Sequence, residues 1–256
     1  MRVVVTGGLG ALGSQVVGAL TAADHEAVIA SRRTGVDLAS GAGLPEALAG
    51  ADAVVHTADT TNPLKFSAVT VGGTQSLVTA LAQLETPPHL VTISIVNAER
   101  VPYRYYRAKR RADEIVLATR GPATVVRATQ FHSLAALFAR MGRLGPLTIG
   151  IRGMRIQPVD IRWVGQRLAE IAVGPPPATA ITGPDLAGPD VFDVTDLMSL
   201  VAEHEGRRGP RPLGLPPVGA LLRAFATELP AGPQAQLGGD SFEAWLSRQP
   251  RPLRGR

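Results

Sequence analysis

Residues 2–13 constrain this chain more than any other stretch. Arg2-Val3-Val4-Val5-Thr6 is a short apolar run that breaks into Gly7, Gly8, Gly10, Ala11, Leu12 and Gly13 and then into Ser14-Gln15-Val16-Val17-Gly18-Ala19-Leu20. The pattern is strand, tight turn, helix. Glycines at this spacing let the backbone turn sharply, come close to a diphosphate and pack the helix on the strand, while the helix N-terminus offers free N–H groups to the anion. The turn therefore predicts a dinucleotide site.

The order of elements that follows predicts an α/β chain of the Rossmann type, a doubly wound parallel sheet with a small C-terminal substrate lobe. Strands are expected at Glu26–Ala30, Ala51–His56, His89–Ile95 and Thr124–Arg127, and helices at Leu44–Leu48, Lys65–Leu84, Tyr105–Thr119 and Val164–Val173. Near Gly145 the character changes. A cofactor domain over 1–150 and a smaller lobe over 151–256 are expected, with the chain returning to the first domain around 156–175. Within the lobe, Thr195 is the expected N-cap of a helix. The Pro/Gly/Arg-rich segment Gly206–Pro217 reads either as a lid or as a surface connection.

Composition excludes several classes. With 256 residues, 45% of them hydrophobic, the chain can bury a full core. It has no cysteine, which removes disulfides, thiolate metal sites and a cysteine nucleophile, and no metal site is expected. The net charge of +5 is spread along the chain without a nucleic-acid-binding motif. No run is long enough to span a membrane, and a cytoplasmic protein, monomer or homodimer, acting on a small molecule is the expectation.

An acid about 20 residues beyond the glycines would mark NAD by gripping the ribose 2′-hydroxyl. Here the second strand ends in Ser31-Arg32-Arg33 instead. Guanidinium groups pair with a 2′-phosphate through charge-assisted forks, so NADP(H) is expected over NAD(H), unless both arginines are merely solvated charges. Asp37, before Leu38, stands where a carboxylate accepts from an adenine amino group or serves as a turn residue.

The chemistry signal is Tyr105-Tyr106-Arg107-Ala108-Lys109. Tyr105 and Lys109 are four apart and share a helix face. An ammonium near a phenol favours the phenolate and lowers its pKa by roughly 1–3 units, which makes a tuned general acid/base for a carbonyl or alcohol. Lys65 and Lys109 are the only lysines in a chain rich in arginine, and Lys109 stands among Arg104, Arg107, Arg110 and Arg111. An ammonium is specifically retained there.

These residues, together with Asp37-Leu38, Val71-Gly72-Gly73-Thr74-Gln75-Ser76-Leu77, Thr92-Ile93-Ser94-Ile95-Val96 and Arg127-Ala128-Thr129-Gln130-Phe131-His132, resemble the short-chain dehydrogenase/reductase superfamily, in its atypical or extended branch with NmrA-like NAD(P)-binding proteins. The resemblance covers most of residues 1–175. It implies that Lys109 touches the nicotinamide ribose, that Tyr105 delivers a proton and that Ser94 polarises the substrate oxygen. It also implies that Thr57 and Ala58 pass under the cofactor and that Ala128, Thr129 and Phe131 line its nicotinamide side.

The chain departs from that pattern in keeping Ser94 alone of the usual serine run, with Asn97 offering an amide nearby. Among the histidines, His132 stands just beyond the expected nicotinamide loop. The C-terminal lobe is short for a sugar-nucleotide epimerase. Three readings stay open: an NADPH-dependent reductase of a small, largely apolar carbonyl or enone, of the kind used in secondary metabolism; a non-catalytic NAD(P) sensor of NmrA type; and an NAD-dependent epimerase or dehydrogenase.

Overall fold

Buried apolar runs make the strands at the centre of the sheet. The computed structural model describes residues 1–60, 62–144, 147–207 and 212–250. β1 (Arg2–Thr6) is buried from Val3 onward, as expected of a strand covered on both faces, and leads through the glycine turn into α1 (Ala11–Ala22). Next come β2 (Glu26–Ala30), α2 (Leu44–Leu48) and β3 (Ala53–His56), which is buried throughout. A π-helical turn, Phe66–Gly72, runs directly into α3 (Gly73–Leu81), where the sequence predicts one helix over Lys65–Leu84. β4 (His89–Ile95), α4 (Arg104–Leu117) and β5 (Ala123–Ala128) follow.

Beyond β5 come α5 (His132–Met141), β6 (Arg143–Leu144), β7 (Leu147–Ile151) and β8 (Arg155–Ile156), then α6 (Ile161–Val173) and β9 (Ile181–Ala187). The chain ends with β10 (Phe192–Asp193), α7 (Val194–His204), β11 (Leu213–Leu215), α8 (Ala220–Thr227), β12 (Gln236–Leu237) and α9 (Phe242–Ser247). The seven-stranded sheet has the order β12-β9-β5-β4-β3-β1-β2, and β1 pairs in parallel with β2 and β3, as β3 does with β4 and β9 with β12. This is the doubly wound α/β fold. The chain reverses its winding direction between β1 and β3, the place where such sheets hold ligands.

The chain divides into two compact units. The first comprises Met1–Glu99, Tyr103–Arg127 and Ile161–Pro184; the second comprises Arg100–Pro102, Ala128–Asp160 and the described residues of Asp185–Arg256. The boundary expected at residue 150 lies earlier, because the chain leaves the first unit after Arg127 and comes back with α6. In the first unit, one core beneath the helices joins Val4, Val54, Leu77, Leu90 and Val125 with Leu44 and Leu48 of α2. In the second, β7 pairs with β6 and β11, and β8 pairs antiparallel with β10. Asp193, not the expected Thr195, is the N-cap of α7: its backbone is extended, the helix already begins at Val194, and the Val194 N–H donates to the Met154 carbonyl at 2.8 Å. In the segment Gly206–Pro217, residues 208–211 lie outside those described. Among the described residues no helix is long and apolar enough to cross a membrane.

Candidate functional site

The glycine turn forms as its sequence requires. Gly7 has φ +73°, a left-handed conformation natural to glycine, and a β-carbon there would stand 2.7 Å from the Ala58 backbone. The Gly10 N–H donates to the Gly7 carbonyl at 2.8 Å, and Gly10 is the N-cap of α1. The first helical bond is Ser14 N–H to the Gly10 carbonyl, so the N–H groups of Ala11, Leu12 and Gly13 precede the helical ladder, with no acid in the first turn of α1. That is an anion cradle in its chemistry. Leu12 and Gly13 are buried and support it from behind, while Ala11 is exposed.

An open groove of about 280 Å³ lies over this turn. Gly7 and Gly10 line it after β1, Ser31 and Arg32 after β2, and Thr57, Ala58 and Asp59 after β3. Asp37 and Leu38 contribute from the loop that follows β2. The structure thus brings eight of the seventeen sequence-predicted cofactor residues into one groove wall. Arg33 is an exception: it is exposed in the same short turn as Arg32 but is not part of the groove wall. The Asp37 carboxylate accepts from the Ala39 N–H at 2.9 Å, so it builds its own turn while lining the groove.

Thr6 is not a groove residue. It is wholly buried, and its hydroxyl meets His56 Nδ1 at 2.6 Å. On the other side of that ring, His56 Nε2 lies 3.1 Å from Thr74 Oγ1, whose hydrogen goes to the Thr70 carbonyl. Nε2 therefore carries the imidazole proton, and Nδ1 accepts from Thr6. Burial and the Lys109 charge hold His56 down at a pKa of about 4, against the opposing pull of Asp59, so the ring is neutral near pH 7. The Thr57 hydroxyl likewise donates to the Thr6 carbonyl at 2.8 Å and fixes the exit of β3.

Tyr105 and Lys109 do share a face of α4, and the residue that joins them is one the sequence reading missed. Asp59 Oδ2 accepts from the Tyr105 hydroxyl at 2.8 Å and from Lys109 Nζ at 3.2 Å. Its Oδ1 accepts from the Thr70 hydroxyl at 2.6 Å and from the Thr60 N–H at 2.8 Å. Lys109 Nζ also donates to the Ile93 carbonyl at 2.7 Å. Burial alone would raise the Asp59 pKa, but Lys109 and the three other donors outweigh it and hold the carboxyl below its usual value.

The phenol behaves opposite to expectation. Burial first, and then the Asp59 carboxylate, push the Tyr105 pKa well above 10, because the ammonium expected to lower it is spent on Asp59. An acid three residues past β3, near the carboxyl end of a central strand, is the sequence signal that could have found Asp59.

Ser94 is the other correction. Its hydroxyl oxygen is closed off inside β4 without a hydrogen bond of ordinary geometry, though it lies near enough to Asp113 to favour that carboxylate. A hydroxyl shut off from the surface cannot polarise a substrate oxygen. Asp113, four residues beyond Lys109, is buried too; burial raises its pKa against the pull of Ser94, Lys109 and Arg127, whose Nε is 3.4 Å away. Asn97, just past β4, sits in a left-handed turn with φ +57°.

The remaining expected residues belong to the second unit. Ala128 ends β5 and is buried; the Thr129 hydroxyl is buried without a partner; Phe131 bridges to Val159 ahead of α5. His132 is buried against Phe242 and Trp245, with ring centroids 5.7 and 5.5 Å away, so it packs in an aromatic core. Among the described residues no His, Asp and Glu side chains gather as a metal site.

Comparison with known proteins adds a partial family match to this geometry. Residues 3–99 match the model of the NAD dependent epimerase/dehydratase family. The match covers the glycine turn, the groove and Asp59 but ends before Tyr105 and Lys109. No curated protein matches the chain.

Among solved structures, a nucleoside-diphosphate-sugar epimerase from Staphylococcus aureus is 18% identical, with a TM-score of 0.74 over 97% of this chain and 100% of that one. A UDP-glucose 4-epimerase from Thermus thermophilus, in complex with NAD, is 18% identical with a TM-score of 0.67, covering 96% of this chain and 98% of its own. An NADPH-dependent quinone oxidoreductase from Escherichia coli, in complex with NADPH, is 15% identical with a TM-score of 0.67, covering 88% and 87%. At these identities the likeness is one of fold. The two epimerases just named are covered over 100% and 98% of their own length, so this chain is not shorter in fold than those two structures.

Proposed function

We propose that this protein is a nicotinamide-dependent oxidoreductase that interconverts an alcohol and a carbonyl on a small molecule. The observation that carries the reading is one continuous set of contacts: the groove built by the glycine turn includes Asp59, and Asp59 bonds both Tyr105 and Lys109. The residues fit a dinucleotide. Gly10 and the first N–H groups of α1 would hold its diphosphate, and Arg32 a 2′-phosphate, which favours NADP(H) over NAD(H). When bound, the nicotinamide supplies or takes up hydride.

The protein's own part is to place the reacting oxygen and to move its proton. Tyr105 is the group to do so, and Lys109, buried between Asp59 and the Ile93 carbonyl, brings a fixed positive charge beside it. The reading is tested by titrating NADPH and NADH into the purified protein and following absorbance at the nicotinamide band with a panel of ketones, quinones, enones and secondary alcohols. Binding without turnover of any of them would leave the sensor reading in its place.

The second reading is an epimerase, in which an alcohol is oxidised and then reduced on the other face. It is favoured by the family match over residues 3–99 and by two of the similar structures above, which are epimerases by name. Turnover of a UDP-sugar without net change in the nicotinamide would distinguish it.

A further inference from the structure

Asp59 is held on all sides. Both of its oxygens are engaged, Oδ1 by Thr70 and the Thr60 N–H, Oδ2 by Tyr105 and Lys109, so the carboxylate is fixed in orientation as well as in place. A phenol has a single hydrogen, and that of Tyr105 already points at Asp59. What the phenol oxygen has left to offer is lone pairs. Two donors on Oδ1 and an ammonium on Oδ2 keep Asp59 an anion and therefore an acceptor near neutral pH.

From this geometry we infer that Asp59 is a positioning residue that fixes the hydrogen of Tyr105, making the phenol oxygen a hydrogen-bond acceptor and selecting a hydroxyl-bearing ligand over a carbonyl. The inference rests on the proposed reading of the groove and deepens it. In the oxidative direction, the O–H bond of the bound alcohol breaks and its proton passes to the Tyr105 oxygen, while the phenol's own hydrogen passes to Asp59. The carbinol C–H pair leaves as hydride to an oxidised nicotinamide, and the carbonyl forms. Charge and atoms balance: Asp59 ends protonated and Tyr105 ends neutral, as it began. Reduction of a ketone by the same path requires Asp59 to be protonated beforehand, a state that Lys109 and Thr70 disfavour.

The groups facing the phenol are few. Beside Asp59, Tyr106 from α4 acts on the phenol, and the Phe66 ring of the π-helical turn lies 5.3 Å from that of Tyr105. Lys109 and Thr70 bond Asp59; His56 of β3, neutral and turned to Thr6 and Thr74, feels the charges of Lys109 and Asp59, and Asp113 feels that of Lys109. Asp59 is the anion in direct contact with the phenol, which makes its removal a clean perturbation.

The test begins on the cofactor-free protein, where its result is independent of whether any nicotinamide binds or turns over. Tyrosinate absorbance near 295 nm is followed against pH in the parent, in Asp59→Asn and in Tyr105→Phe, the last identifying the Tyr105 step. We expect Asp59→Asn to lower the ionisation of Tyr105 by at least one pH unit, a tenfold change in proton affinity; an unchanged step overturns the inference. Should Asp59→Asn fail to fold, as judged by thermal melting, the parent alone decides. Its proton NMR spectrum must show a downfield, exchange-protected hydroxyl resonance that Tyr105→Phe removes, and absence of that resonance overturns the inference.

Ligand choice is then read with a matched pair, cyclohexanol and cyclohexanone, titrated into the protein with saturating NADP+. The alcohol should bind at least threefold more tightly, and the preference should vanish in Asp59→Asn. Equal affinity, tighter ketone binding or binding of neither overturns the selection of a hydroxyl. Failure of NADP+ and NAD+ to bind at all would count against the reading of the groove, while the phenol titration would still stand.

Discussion

A β-carbon on Gly13 would stand 2.2 Å from the carbonyl oxygen of Gly7, far inside van der Waals contact. The helix and the turn meet there backbone to backbone. Gly13→Ala should therefore force α1 away from the turn and cost about 1–3 kcal/mol, as overpacking does. At Gly10 the nearest atom to such a carbon is the Gly7 carbonyl oxygen at 3.1 Å, and the residue lines the groove. Gly10→Val should lower the melting temperature less than Gly13→Ala does, while leaving the protein folded, and abolish dinucleotide binding. Thermal melts and fluorescence titrations of the two variants separate these outcomes, and an unstable Gly10→Val that still binds would reverse the assignment.

Arg32 lines the groove and Arg33 does not. NADPH should bind at least tenfold more tightly than NADH, since one charge-assisted contact to a phosphate contributes about 1.4 kcal/mol or more. Arg32→Ala should remove most of that preference by weakening NADPH alone, whereas Arg33→Ala should change little. Equal affinities for the two cofactors in the parent protein would refute the 2′-phosphate contact.

Loss of the phenol should separate binding from chemistry. Tyr105→Phe should retain cofactor affinity and lower turnover roughly 10²-fold or more, the usual size of a lost proton-transfer group. Lys109→Arg should also be damaging although the charge is kept, because a planar fork does not fit a buried position that bonds Asp59 and the Ile93 carbonyl at once. Steady-state rates with the best substrate of the panel decide both, and a Tyr105→Phe protein as fast as the parent would end the tyrosine mechanism.

Stability should fall as the solution is acidified from pH 6.5 toward 4. His56 in the folded protein takes its proton only at about 4, whereas an unfolded histidine does so near 6.5. Below 6.5 the unfolded chain gains a proton that the folded one refuses, and across the window this removes about 3 kcal/mol of stability. His89, whose pKa burial also lowers, adds slope of the same sign. Urea denaturation at stepped pH should show the decline, and His56→Gln should flatten it; a parent curve level between pH 6.5 and 4 would contradict the buried neutral ring.

Local pattern made much of this legible in the sequence. β2, α2 and β4 stand where their residues predict, because alternation, β-branching and flanking breakers act over a few positions. The glycine turn was equally clear, since each glycine answers to a neighbour within the same turn or to the strand beside it. The pairing of Tyr105 with Lys109 follows from helical spacing alone. Asp59 was hidden because its meaning depends on β3 and α4 coming together, some 46 and 50 residues apart. The inward turn of Ser94 was hidden for a related reason: strand alternation shows which residues share a face, not which face is covered. Arg32 and Arg33 look alike in sequence and are separated only by the short turn that carries them.

The interleaving of the two units has a consequence for how the molecule can come into being. α6 and most of β9 belong with the glycine turn and the Tyr105 helix, yet they are translated only after Ala128–Asp160 of the other unit. A nascent chain that has released its first 150 residues still lacks the helix that packs along α1 and the strand beside β5. The groove over the glycine turn can thus reach its final support only when residue 184 has left the ribosome, and no single cut through the chain yields either unit whole.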